Sequence, residues 1–313
     1  MKLVLNACGV DSLGGVKLFK NSVIQYIANN NKLLILYSNE KQISGIDFNQ
    51  NVVLKKISLK RFFHPFLNLF LDKKTKNLIN DFDGIIHYGN FGFKTNINSY
   101  ILIQNLLPFN SNSLKNKILK MLITNSFKYA EKIIIQLPHM KNFIEEKFKE
   151  KIIEVGRINT GKKDYVNNKS VVVFGSTEPN KNFKFILKTF DMFEDYENFT
   201  IINPSQKIQK YKSEILSKNI DIKNLMNENS IYFHASNYET VGLPLYEASD
   251  SGLIIVAPNL PYMQYFDENS VFTYEHGNLE DAKKKLAKAM SYKNNSVTTY
   301  NYNENWIEIL KDF

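Results

Sequence analysis

The chain is 313 residues long, room for two α/β domains at about 100–200 residues each, and 43% of it is hydrophobic, enough for ordinary globular cores. No apolar run reaches the roughly 20 residues that span a bilayer, and the single cysteine, Cys8, rules out an intrachain disulfide and fits a reducing compartment. Lys plus Arg total 40 against 31 Asp plus Glu, a net +9 that suits an anionic partner; with no zinc-finger spacing or RNA-binding aromatic pattern, nucleic acid is not expected.

The start, Met1-Lys2-Leu3-Val4-Leu5-Asn6, has too few apolar residues before Asn6 for a signal peptide. It reads as a buried strand, and the expected location is cytoplasmic. Short apolar runs follow at 33–37, 52–54, 84–87, 100–103, 132–135 and 152–155. Between them lie three- and four-residue spacings, as in Val16, Phe19, Val23, Ile24 and Ile27, with similar patterns over 114–129 and 140–148. Strands apolar on both faces and separated by helices predict a parallel sheet covered on both sides. The polar stretch 159–169, holding Gly161 and Asn167-Asn168, predicts a linker. The pattern then restarts, with strands at 170–174, 199–202, 231–234 and 253–257 and helices at 183–193, 206–217 and 243–251. A last helix is predicted over 303–313, around the only tryptophan, Trp306. The expectation is α/β: two doubly wound Rossmann-like domains, 1–158 and 170–296, facing across a cleft, with 297–313 docking back on the first.

The strongest local pattern is Ser236-Asn237-Tyr238-Glu239-Thr240-Val241-Gly242-Leu243-Pro244-Leu245-Tyr246-Glu247-Ala248. It leaves a strand and opens a helix, with Pro244 tolerated in the first turn. Amides of Val241, Gly242 and Leu243 at a helix N-terminus make an anion site, and a carboxylate such as Glu247 accepts two hydrogen bonds from a vicinal diol, as on a ribose. A capped helix with two solvated glutamates is the plain alternative. In Gly9-Val10-Asp11-Ser12-Leu13-Gly14-Gly15-Val16, between the first strand and helix, adjacent glycines let a ligand approach the backbone and leave amides for a phosphate. The spacing is not G-x-G-x-x-G and no acidic residue ends the second strand, so NAD is not expected.

Asp81-Phe82-Asp83 spells the Asp-x-Asp of metal-dependent transferases, but three residues are a cheap match and structural aspartates are expected. The five histidines show no metal spacing either, so no metal is expected; His139 reads as partly exposed and without a role. The stretch 60–74 mixes Phe62, Phe63, Phe66 and Phe70 with Lys60, Arg61, Lys73 and Lys74. The core face of an ordinary helix is the favoured reading; peripheral contact with an anionic membrane is the other.

The 236–248 stretch resembles the donor-site signature of the retaining GT-B glycosyltransferases of family 4 (glycosyl transferases group 1), where two glutamates separated by seven residues flank a Gly-Leu-Pro core. The resemblance implies that Glu239 contacts the transferred sugar and Glu247 the ribose, with amides of Thr240, Val241, Gly242 and Leu243 holding phosphate or sugar. Val173-Phe174-Gly175-Ser176-Thr177-Glu178-Pro179-Asn180-Lys181-Asn182 is similar to the family's Gly-Arg followed five residues later by lysine. Lys181 matches the lysine, while Ser176 stands in place of the arginine and donates a hydrogen bond without a charge. Gly14 and Gly15 resemble the first glycine loop, which faces donor phosphate and acceptor.

D-G-I-I-H-Y-G-N over 83–90 and I-Q-N-L-L-P-F over 103–109 resemble first-domain strand ends, implying Asn90, Gln104 and Asn105 as donor or acceptor contacts. Many relatives carry histidine where Gln104 stands; a carboxamide orients a hydroxyl but moves no proton. Together the resemblance implies catalytic roles for Glu239 and Lys181 in moving a sugar, with retention, from a nucleotide diphosphate sugar to a saccharide or lipid-linked saccharide hydroxyl. It places this in surface polysaccharide or lipopolysaccharide assembly at the inner face of the membrane, with no cofactor beyond the donor. Two other readings of the same fold stay open: a non-catalytic nucleotide-sugar-binding protein and a sugar-nucleotide epimerase.

Overall fold

The computed structural model describes residues 1–59, 61–110, 113–176, 178–202, 210–214, 222–268 and 270–312. They divide into two units, Met1–Arg157 together with Glu304–Phe313, and Ile158–Asn303.

The first unit holds β1 (Lys2–Asn6), β2 (Lys32–Tyr37), β3 (Val52–Lys56), β4 (Gly84–His87), β5 (Asn98–Leu102), β6 (Lys132–Ile135) and β7 (Ile152–Glu154). They lie in the order β3-β2-β1-β4-β5-β6-β7, with every neighbouring pair parallel. Leu3 and Leu5 enter one core with Phe19, Val23 and Tyr26 of the helix Leu13–Ala28; Val4, between them, enters the opposite core with Leu34, Leu36 and Ile85. Two covered faces are the reason the strands read as unbroken apolar runs, and each side chain fully buried there contributes about 1.5–3 kcal/mol. The strand order reverses between β1 and β4, so the loops leaving those strands sit at the switch point where open α/β sheets take their ligands.

Beyond β8 (Gly156–Asp164), the second unit repeats the design with β9 (Val171–Phe174), β10 (Phe199–Ile202), β11 (Lys212–Glu214), β12 (Ile231–Phe233), β13 (Ile254–Pro258) and β14 (Val271–Tyr274), in the order β11-β10-β9-β12-β13-β14 and parallel throughout. Val171 and Val173 face one core with Phe190, Phe199 and Phe233, and Val172 the other with Tyr232, Leu245 and Ile255. The reversal here lies between β9 and β12.

Two predicted segments differ. The linker over 159–169 is strand as far as Asp164, and residues 297–304 all lie in β15 (Ser296–Glu304), which pairs with β8. Tyr165 N–H donates to Asn295 O at one end and Asn305 N–H to Val155 O at the other, so the pair is antiparallel. β8 exposes most of its side chains and is made by its backbone, which is why no apolar pattern announces it. The helix predicted over 303–313 is reduced to a 3-10 segment, Glu308–Asp312. Trp306 is fully buried against Tyr88, ring centroids 5.3 Å apart, in the first unit's core.

Smaller corrections follow the same logic. The 140–148 pattern forms 3-10 turns, Pro138–Phe143 and Glu146–Lys151, and His139 is buried rather than partly exposed. Of the helix predicted over 206–217, the described part includes strand β11; the rest lies outside the described residues. In 60–74 the backbone breaks into a 3-10 stretch, Arg61–Phe66, and helices Leu67–Phe70 and Lys73–Asn80. Leu67 and Leu71 are buried, whereas Phe63, Phe66, Leu69 and Phe70 are exposed, so the continuous core-facing helix is not what forms. Lys60 lies outside the described residues. Among those described, no helix is long and apolar enough to cross a membrane.

Candidate functional site

In the second unit the switch point brings the two sequence matches together. β9 runs into Gly175, where an added Cβ would meet Phe183 Cε2 at 2.8 Å, so the chain turns against that ring only because the residue is glycine. Ser176 Oγ accepts the Glu178 N–H at 3.1 Å, a local turn that still leaves its hydroxyl proton to donate. One 3-10 turn, Pro179–Lys181, then ends at Asn182 in the left-handed region, φ 51°. On the other side, β12 continues through His234, whose N–H donates to Val256 O, into the loop that carries Glu239.

The two loops are tied by backbone and side chain. Asn237 N–H donates to Asn180 O at 2.8 Å, and Asn237 Oδ1 faces Asn182 Nδ2 at 3.5 Å and His276 Nε2 at 2.9 Å. Across this seam Lys181 Nζ reaches Glu239 Oε1 at 2.5 Å, with the Glu239 side chain only 11% exposed. Burial alone would raise the Glu239 carboxyl, but Lys181, His234 and the Ser236 hydroxyl together hold it below its ordinary value, so it is ionised near neutrality.

After Glu239 the chain reaches Gly242 at φ 73° and enters the helix Leu243–Asp250, with Pro244 in its first turn. Glu247 lies one turn in; burial raises the Tyr232 phenol, and the charges of Glu239 and Glu247 add to that. Thr240 and Leu243 are partly buried and Val241 and Gly242 buried at this helix start. Lys181 and Glu239 thus meet beyond the carboxyl ends of β9 and β12, with Ser176 on the same segment as Lys181 and Glu247 in the helix that follows Glu239. Sequence reasoning missed His234: its Nε2 stands 3.7 Å from Glu239 Oε1, and the available signal was a histidine at a strand end five residues before the glutamate.

The first unit assembles its own set. Leu13, Gly14 and Gly15 form the first turn of the helix rather than a loop before it; Ser12 caps that helix, accepting Gly15 N–H at 3.1 Å, so this amide is already used. A Cβ on Gly15 would lie 2.9 Å from Gln104 Oε1, which places Gln104 directly against the helix start. Asn90, at φ 66°, accepts Gln104 N–H at 2.6 Å and donates to Asn105 O, and so braces that loop from within. Asn105 is exposed and accepts Leu107 N–H at 2.8 Å. Asp83 Oδ2 accepts the Lys2 N–H at 2.8 Å, a structural task; among the described residues no three His, Cys, Asp or Glu side chains are grouped to hold a metal ion.

Residues 158–308 match the family Glycosyl transferases group 1. No protein of curated function matches the sequence. Among solved structures the chain is similar to the sucrose-phosphate synthase of Thermosynechococcus elongatus (TM-score 0.68, 11% identity) and to WaaG, a glycosyltransferase involved in lipopolysaccharide biosynthesis (TM-score 0.68, 11% identity); in each case 93% of this chain covers 90% of the other. It is also similar to Anabaena Alr3699/HepE in complex with UDP and glucose (TM-score 0.65, 12% identity, 93% of this chain and 90% of that one). These likenesses show the GT-B fold, two Rossmann-like domains of parallel sheet.

Proposed function

We propose that the chain transfers a sugar from a nucleotide diphosphate sugar to a hydroxyl of a saccharide or lipid-linked saccharide, with retention, as members of family 4 do. The observation that carries the reading is the meeting of Lys181 with Glu239, beside Glu247, at the switch point of the second sheet. Negative charge grows on the leaving diphosphate as its bond to the anomeric carbon breaks. Lys181 and the amides of Thr240–Leu243 are the groups suited to stabilise that charge, and in this reading no metal ion is called for.

Glu239 contacts the transferred sugar and Glu247 the ribose hydroxyls. The acceptor oxygen forms the new bond on the face the diphosphate leaves, and the diphosphate oxygen takes the acceptor's proton. Gly14, Gln104 and Asn105 of the first unit are the contacts assigned to phosphate or acceptor. Ser176 replaces a cation by a hydroxyl, so donor affinity rests more heavily on Lys181. WaaG is a glycosyltransferase involved in lipopolysaccharide biosynthesis, and its likeness to this chain is in keeping with a setting in surface glycan assembly.

The experiment is a thermal-shift screen of nucleotide diphosphate sugars followed by turnover of the stabilising donor. Lys181→Ala and Glu239→Gln are expected to lower kcat/KM by about 10²–10³-fold, the range for losing one charge-stabilising group. Turnover unchanged in both variants would sink the assignment. Epimerised donor formed without an acceptor would replace transfer by the epimerase reading.

A further inference from the structure

His234 has no part in the reading above, yet its surroundings are specific. Its backbone is fixed in the sheet by the bond to Val256 O, and its side chain is 5% exposed. Nδ1 lies 3.2 Å from the Tyr232 hydroxyl, and the other ring nitrogen, Nε2, points at Glu239 Oε1 from 3.7 Å. The Tyr262 ring closes the pocket edge-on, centroids 5.7 Å away. Lys181 Nζ approaches that same Oε1.

These contacts choose the tautomer. Burial and the charges of Glu239 and Glu247 keep the Tyr232 phenol protonated, so its O–H is available to donate to Nδ1, the direction that also turns an N–H rather than a lone pair toward Glu239. Nδ1 is then the acceptor and Nε2 carries the ring proton, aimed at the carboxylate. The opposite tautomer would turn a lone pair toward Oε1, and burial holds the ring neutral at pH 7, having pushed it down to about 4.

Resting on the donor-site reading, we propose that His234 is a positioning residue: an imidazole fixed by Tyr232 in its Nε2–H form, which holds the Glu239 carboxylate in place while Lys181 is drawn to the donor's diphosphate. Lys181 is 26% exposed and shares its charge with whatever anion binds beside it, whereas His234 is buried and stays where the strand puts it. With Nε2–H facing the oxygen that Lys181 holds, beside the Ser236 hydroxyl that also bonds the carboxylate, the lysine can leave without releasing it. This also accounts for a buried Nε2 that lacks a hydrogen bond of normal length: the gap to Oε1 closes when the lysine shifts.

The test has two arms. Long-range 1H–15N spectra of the whole protein at pH 7 are expected to show His234 as the Nε2–H tautomer, and Tyr232→Phe is expected to erase that preference. A wild-type Nδ1–H tautomer overturns the proposal, whatever the protein does with sugars. The second arm follows UDP-glucose turnover in His234→Leu and His234→Gln; glutamine keeps an N–H near the Nε2 position. The leucine variant is expected to lose about tenfold or more in kcat with KM within about twofold, and glutamine to recover most of the loss. Equal loss in both variants, or a loss confined to KM, overturns it. Wild-type protein inactive on UDP-glucose and on the other donors would count against the transferase reading alone, and the spectra still decide the role of His234.

Discussion

Gly242 shows how a single residue joins fold to site. Its φ of 73° turns the Glu239 loop into the helix, and an added Cβ would stand 2.8 Å from Leu245 Cδ1 and 3.4 Å from Glu239 Cγ. A side chain there costs about 1–2 kcal/mol in backbone strain and pushes on the carboxylate as well. Buried histidines act at the same scale through the proton. His87, with Nδ1 2.9 Å from Asn6 Nδ2, is pushed down to about 3 by burial, while the unfolded residue titrates near 6.5. Below that pH the unfolded chain binds a proton the folded one refuses. The stability gained from the neutral ring is therefore complete above about 6.5 and is lost as pH falls toward about 3, at up to ~1.4 kcal/mol per pH unit. Trp306 fluorescence reports the first unit, so its urea midpoint is expected to fall between pH 6.5 and 4.5, and less steeply in His87→Asn, which keeps an acceptor for Asn6. Equal slopes in the two proteins would remove His87 from the account.

At the scale of elements, the segment after β15 binds the first unit by more than a ring. Trp306 N–H donates to Gln25 Oε1 and its Nε1 to Glu304 Oε2, both at 3.0 Å, while Gln25 Nε2 donates to Glu304 O at 2.9 Å. Trp306→Ala is expected to cost about 3–5 kcal/mol, the range for emptying a fully buried aromatic site, read from denaturant unfolding by far-ultraviolet circular dichroism. A loss under about 1 kcal/mol would mean the segment merely rests on the surface. Elements stabilised by burial were legible in the sequence: 84–87, 132–135 and 199–202 were read to the residue because both sheet faces demand apolar side chains. β8 was not, since its pairing is a backbone affair with exposed side chains, and β11 is too short to leave a pattern. Of the candidate site, the pattern in the sequence pointed to Lys181 and Glu239, which the fold brings together, and to Gly242 and Glu247 on the same loop and helix; their roles belong to the proposal. His234 stayed hidden because a histidine ending an apolar strand looks the same in sequence whether it packs or points.

For the whole molecule, charge is divided unevenly. The first unit holds 24 Lys and Arg against 14 Asp and Glu, +10, and the second 16 against 17, −1. On the positive unit, the helix Leu114–Ser126 presents Leu114, 75% exposed, with Ile118 and Met121 at four- and seven-residue spacings, interleaved with Lys115, Lys117 and Lys120. Apolar side chains outward among lysines suit the headgroup region of an anionic bilayer, each nearby lysine adding about 1 kcal/mol. The whole chain is expected to sediment with phosphatidylglycerol vesicles and not with phosphatidylcholine, with binding falling as salt rises. Leu114→Glu/Ile118→Glu/Met121→Glu should abolish it without changing the melting temperature by more than a few degrees. Equal binding to both lipids, or full binding by the triple variant, would refute the membrane contact.

Trp306 also sets the order in which the molecule is completed. The ribosome delivers β1 to β7 first, but the Tyr88 side of their core lacks its covering ring until residue 306 emerges. Residues 158–303, made in between, carry all the strands of their own sheet. At about 5–20 residues per second that interval lasts on the order of 10–30 s, during which the unit begun first waits with an open core. The half of the protein born second is the one that can finish first.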